Sequence, residues 1–308
     1  MSDPVSSRVT AKDHPSEALA VPLRRKGATD SPWRRSLRAL GRNWMAMVGL
    51  VIVLAWAILA ILAPWIAPAD PQAQDIAERL EPPSAEHLFG TDELGRDVLS
   101  RVLYGARISI PSGLVVILVE LVIGSTIGAL SGYLGGPVDM LVMRIADVTL
   151  SFPPIVLALA IAAVLGPSLQ NAMIAITLVW WPEYARLMRS EVLQLKHEDY
   201  VLAAECLGVS NVRILFSHIL PNAVSSSIVK ASLDAGLVIL FIAALSFIGL
   251  GVVPPTPEWG AMISSGRYKF YDWWLTTFPG LAMLSVVLAL NLIGDGARDA
   301  FDPRVVGQ

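Results

Sequence analysis

Six ionisable residues stand inside stretches that are otherwise apolar: Glu120, Arg144, Asp147, Lys230, Asp234 and Asp295. In hydrocarbon such groups are costly, and they persist where they meet a partner, water or a solute. Arg144 and Asp147 are three residues apart, and Lys230 and Asp234 four apart. On a helix each pair shares one face and can neutralise itself. Glu120 has no such neighbour and lies deepest in its stretch. Two readings stay open for these residues: they line a polar pathway, or they satisfy one another near a membrane boundary.

Other chemistry is hard to build from this chain. The four histidines, His14, His87, His197 and His218, have no zinc-ligand spacing. "GTDELGRDVLSR" clusters Asp92, Glu93 and Asp97 without the spacing of a calcium loop. No G-x-x-x-x-G-K-[ST] phosphate loop occurs. "LSGYLGG" (residues 130–136) has a superficial likeness to an ATPase signature loop, but it follows an apolar run and reads as a helix-ending turn. No catalytic, cofactor-binding or metal-binding residue is expected, and an enzyme is not expected. The single cysteine, Cys206, has no partner for an intrachain disulfide. A net charge of −3 gives no general affinity for nucleic acid.

The elements that must hold these residues are apolar. Of 308 residues, 54% are hydrophobic and only 16% charged, against about 25% charged in a soluble domain. Residues 44–67 carry no charge and, at ~1.5 Å per residue, exceed a ~30 Å hydrocarbon core. The fold class expected is an all-α membrane protein with six transmembrane helices, at 44–66, 109–131, 139–165, 171–188, 227–249 and 274–294. Pro153-Pro154 interrupts the third. The fourth is short and holds Trp180, Trp181 and Pro182. Gly124, Gly128 and Gly132 in "GSTIGALSG" line one helix face and invite a neighbouring backbone to come close. Residues 1–37 read as a disordered tail, 38–68 as the first span, 69–107 as an extracytoplasmic segment, 108–300 as the core and 301–308 as a second tail. Arg34, Arg35, Arg38 and Arg42 precede the first span, and residues 68–107 are mostly acidic. Basic flanks favour the cytoplasm, so both termini and the segment 190–225 are expected there.

That segment, "YVLAAECLGVSNVRILFSHILPNA", is unusually ordered. Asp199 suits a helix cap before Tyr200–Leu207, with Tyr200, Val201, Leu202, Ala203, Ala204, Glu205 and Leu207 on a short helix. Gly208 suits the left-handed residue after it. Ser210 suits the cap of a second short helix carrying Arg213, and Pro221 is expected to break the pattern before the fifth span. Such a helix either docks in a groove of another protein or rests on lipid.

Here the chain resembles a family, the binding-protein-dependent ABC importer permeases. Their coupling loop follows E-A-A-x3-G-x9-I-x-L-P. Ala203, Ala204, Gly208, Leu220 and Pro221 match it, while Leu202 and His218 depart from it. "HLFGTDELGRDVLSRVLYGARISI", "LSFIGLGVVPPTPEWGAMISSGR" and "FPGLAMLSVVLALNLIGDGARDAFDPR" are similar to the dipeptide/oligopeptide group, and the chain looks like the second of two paired permeases.

The resemblance implies a type I ABC importer transmembrane domain with a cytoplasmic coupling helix, in a bacterial or archaeal inner membrane. It implies as partners a second, homologous permease, two ATPase subunits that bind ATP and magnesium, an extracytoplasmic solute-binding protein, and lipid. An ion-coupled carrier using Glu120 and Asp234, or a membrane scaffold without transport, are the alternatives from the residues alone.

Overall fold

The computed structural model describes Gly41 and residues 43–301. The tail expected at 1–37, the tail expected at 301–308 apart from Phe301, and the arginines up to Arg42 lie outside them. Among the described residues the chain is helical, with an isolated bridge between Thr91 and Asp97 as its only β pairing. The helices are α1 (Trp44–Ile66), α2 (Val98–Leu134), α3 (Gly136–Leu150), α4 (Pro154–Leu165), α5 (Leu169–Leu195), α6 (Asp199–Cys206), α7 (Asn211–Ile248), α8 (Trp259–Gly266) and α9 (Trp274–Phe301).

Four of these, α1, α2, α7 and α9, are long and apolar enough to cross a membrane. The third expected span is broken: α3 and α4 meet at 94°. Pro153 and Pro154 cause this, since a residue before proline avoids helical geometry and proline lacks the donor that would continue the ladder. With that pair as one, the count is five, not six. The missing one is α5. Its 27 residues are long enough, but Glu183, Arg186, Arg189 and Glu191 make its second half polar.

Three of those charges have partners. Lys230 meets Glu183 at 2.7 Å, Arg189 holds Asp139 through two nitrogens, and Arg186 pairs with Asp147. Asp147 therefore reaches across to α5 rather than back to Arg144, which has no ion pair among the described residues. A partner on a neighbouring helix won over the one a turn away.

Helix α2 is the organising element, and α5 lies closest to it. A methyl group on Gly124, Gly128 or Gly132 would meet α5 backbone, at 2.2 Å from the Ala185 carbonyl oxygen in the case of Gly128. The glycine stripe is thus a packing face, as its period suggests. Helix α1 is peripheral, burying only Ala46, Gly49 and Ala63. It is fastened by the Trp56 indole, which donates to Ser285 Oγ at 2.8 Å and stands edge-on to Trp259.

At the end where α2 begins, residues 67–97 fold into a compact cover. Gly95 is required there: its φ is +70° and a Cβ would lie 1.6 Å from the Asp75 carbonyl oxygen. Asp92 takes Arg96 at 2.7 Å and Arg101 at 3.5 Å, and Arg101 also donates to the carbonyls of Pro71 and Pro255. Asp97 caps α2 through Ser100 N–H and also bonds His87 Nδ1 at 3.0 Å, while Glu78 bonds His87 Nε2 at 3.1 Å. Glu93 meets Lys269 at 3.2 Å, so the carboxylates that suggested calcium are engaged by arginines, a lysine, a histidine and a helix end. No cluster of potential metal ligands occurs among the described residues.

Two predictions follow from this packing. Gly128→Leu drives a side chain into the α5 backbone and should destabilise the fold by about 3 kcal/mol or more. Gly280→Ala, where nothing lies within 4 Å, should be silent. Thermal melting in nanodiscs reads both, and equal melting of the two variants would refute the close approach. The second concerns His87. Its bond to Asp97 holds the imidazolium above the usual histidine range, against the opposing effect of burial. A raised value stabilises fully below the ordinary pKa of ~6.5 and is lost as pH rises through the folded value. The melting gap between the native chain and His87→Gln should be widest near about pH 6 and close by about pH 9. A gap that does not change with pH would remove the charge from the account.

Candidate functional site

At the other end of α2, α6 stands outside the bundle as a separate short helix. It is eight residues long, begins at Asp199 and ends before Gly208. Gly208 has φ +76° with open space around its Cα, so conformation rather than crowding demands glycine. Asp199 is not the cap. Glu198 occupies that position with no side-chain capping bond, and Asp199 sits in the first turn, where its charge suits the helix dipole. Ser210 does precede the next helix, again without a side-chain bond.

Val201 and Ala204 face inward, onto a small core with Ala129, Tyr133, Met188, Val192, Ile214, Leu215 and Ile219. Tyr200, Leu202, Ala203, Glu205 and Leu207 face outward, Leu207 being 83% exposed. Ala203 is exposed and Ala204 buried, so the two do not form one close-approach surface. Arg213 is exposed beside Val212 and Phe216. The Lys196 ammonium donates to the Tyr133 carbonyl at 3.0 Å, which ties the approach to α6 to the last turn of α2.

The second helix is not short. Pro221 does not end it: α7 runs from Asn211 to Ile248 without a break. The turn before Pro221 widens into a π stretch, Ile214–Ile219, and Leu220 N–H donates five residues back to Leu215 O. A wide turn accommodates the ring that would clash in a regular helix. Leu220 and Pro221 thus mark the junction between the exposed segment and the membrane part of one helix. His218 contributes its carbonyl there, accepting from the Asn222 amide at 2.8 Å. Leu202 sits outward, 43% exposed.

Higher in the bundle, three elements bring polar residues together. Lys230 on α7 bonds Glu183 at 2.7 Å and Asp234 at 2.8 Å. The Tyr184 hydroxyl donates to Asp234 at 2.9 Å, and the Lys230 ammonium lies 5.3 Å from the Tyr184 ring centre. Glu120 on α2 is fully buried, and neither of its oxygens has a hydrogen-bond partner. The Lys230–Asp234 pair anticipated from spacing forms. Arg144, Asp147 and Asp295 are exposed and belong to no such cluster. Glu183 and Tyr184 were missed from the sequence. The signal was a glutamate next to Pro182 inside an apolar run.

Residues 124–307 match the family model described as binding-protein-dependent transport system inner membrane component. Residues 31–83 match the N-terminal TM domain of oligopeptide transport permease C. The chain is 47% identical to a dipeptide transport system permease protein of Alkalihalophilus pseudofirmus, covering 89% of this chain and 91% of that protein. It is 48% identical to a probable D,D-dipeptide transport system permease protein of Escherichia coli K12, over 86% and 89%. A glutathione transport system permease protein of Escherichia coli is 43% identical over 94% and 96%. This chain is a multi-pass membrane protein and belongs to the family of binding-protein-dependent transport system inner membrane components.

Proposed function

We propose that this chain is the transmembrane permease subunit of an ATP-driven importer for di- or oligopeptides or a related small solute. It pairs with a second, homologous permease. Two ATPase subunits, which bind ATP and magnesium, dock on α6, and a solute-binding protein delivers substrate at the opposite, extracytoplasmic end. The N- and C-termini are cytoplasmic in this reading, and the first span with the cover at 69–107 is set apart from a core at 108–300.

One observation carries the proposal. The outward face of α6 is exposed and carries Leu202, Ala203 and Leu207 beside Glu205, and its inward face is packed on α7, which continues unbroken into the bundle. At about 1.5 Å per residue, Lys230 lies ~29 Å along the axis from Asn211. A push on Tyr200, Leu202, Ala203, Glu205 or Leu207 therefore reaches the middle of the bundle along one rod. Rigid elements with two packed arrangements are what a switching transition needs. The substrate class rests on the relatives, which are named for dipeptide and glutathione transport. The ion-coupled carrier reading draws no support from them.

Replacing Gly208 tests the lever. Gly208→Val forces a β-branched side chain into a left-handed conformation at a cost of roughly 1–2 kcal/mol, with no clash to unfold the bundle. Reconstituted with its partners, the variant should assemble and hydrolyse ATP while peptide uptake falls at least about tenfold. Normal uptake with normal coupling in a correctly assembled complex would overturn the lever. Uptake that survives ATP depletion but not collapse of the ion gradient would overturn the importer.

A further inference from the structure

The polar cluster in the bundle holds more acid than its own lysine requires. Glu183 and Asp234 each take one bond from the Lys230 ammonium, and the Tyr184 ring offers it an aromatic face. Two carboxylates and a π-face around one ammonium make a receptor for a primary amine. A structural lock needs one carboxylate per ammonium. Here there are two, and a third behind them: Glu120, fully buried, has no hydrogen-bond partner for either oxygen, and the charges that act on it are those of Asp234, Glu183 and Lys230. Within a membrane bundle an ionisable side chain without a structural partner marks a functional position.

The cluster is also reachable. The side chains of Glu183 and Lys230 are 37% and 24% exposed, and that of Asp234 is 15% exposed, so one side of the receptor is open while Glu120 closes the other. Its members stand on α5 and α7, the helices that flank α6 at the end of the bundle. Pro182 precedes Glu183 and removes a backbone donor at that level of α5.

We propose that Glu183, Asp234 and Tyr184 form a transit site for the primary ammonium group of the transported solute, with Glu120 as the acid behind it. Lys230 is the internal occupant that keeps the site filled between transport events. The entering ammonium displaces Lys230 from the two carboxylates. Lys230 returns when the solute leaves, so no fixed charge is left open in the membrane. This deepens the importer reading and rests on it.

Reversing the order of damage tests the proposal. The complete importer, with both permeases, ATPases and binding protein, is placed in liposomes and supplied with labelled alanyl-alanine at saturating binding protein. Glu183→Gln with Asp234→Asn should lower maximal ATP-dependent uptake at least tenfold, and either single replacement at least threefold. Lys230→Met, which removes the internal occupant but leaves the two acids that would receive the solute ammonium, should lower uptake less than the double amide variant does. A purely structural ion pair gives the opposite order, because removing the only ammonium strands Glu183 and Asp234 while the amides remove charge. That opposite order, or native rates in all variants, overturns the transit site. Should Lys230→Met fail to assemble, that too counts for the structural lock. Failure of the native importer to take up alanyl-alanine with ATP would instead overturn the peptide reading, so the two failures are told apart.

Discussion

The close approach of α2 and α5 sets the rest of the bundle. With no side chain at Gly124, Gly128 and Gly132, the α5 backbone lies against α2 over more than two turns. In a bilayer such contact is a main source of helix association, because apolar surface is already solvated by lipid. The register that results puts Glu120 one turn before the level of Tyr184 on α5. It also brings the end of α2 to Lys196 and the start of α6. A larger side chain in the stripe would disturb the exposed helix and the polar cluster together, although neither touches the glycines.

The second constraint is electrostatic. Helix α5 is too polar to read as a membrane span by its composition, yet it sits in the middle of the bundle. It does so because each acidic or basic residue in its central turns has a partner on another helix: Glu183 with Lys230, Arg186 with Asp147, Arg189 with Asp139. The charges make α5 a helix that lipid alone would not stabilise, and they therefore specify its neighbours. Glu120 is the exception, a buried carboxyl with no bond to give it a structural role.

Local signals in the chain were legible. The glycine period, the proline break after α3, the left-handed Gly208 and the Lys230–Asp234 pair all depend on residues within four of one another. What failed depended on the third dimension. Asp147 chose Arg186 over Arg144 because a guanidinium on α5 was better placed than one on its own helix. Asp199 looked like a cap, but the preceding Lys196–Glu198 turn shifted the helix start by one residue. Pro221 looked like a stop because a proline interrupts an isolated regular helix. Tertiary packing of Ile214, Leu215 and Ile219 holds the π turn that lets the helix pass. Glu183 was overlooked because its significance lies in Lys230 and Asp234, some fifty residues away.

The unbroken α7 changes what the exposed helix can do. Had Pro221 ended a short helix, α6 would have been joined to the bundle by a hinge, and motion there would have dissipated in the loop. With Asn211–Ile248 continuous, α6 is joined to α7 by the glycine turn at Gly208 alone. Displacement of α6 is then resisted by the inward contacts of Val201 and Ala204 with Ile214 and Ile219 and passes along the helix. It arrives where Lys230 and Asp234 face Glu183 and Tyr184. A small rotation of α7 relative to α5 there lengthens the two bonds that cross between the helices, Lys230–Glu183 at 2.7 Å and Tyr184–Asp234 at 2.9 Å. The exposed turn that carries Arg213 and the polar cluster around Lys230 thereby lie on one continuous helix, and the π turn at Ile214–Ile219 is what allows a proline-bearing sequence to remain one.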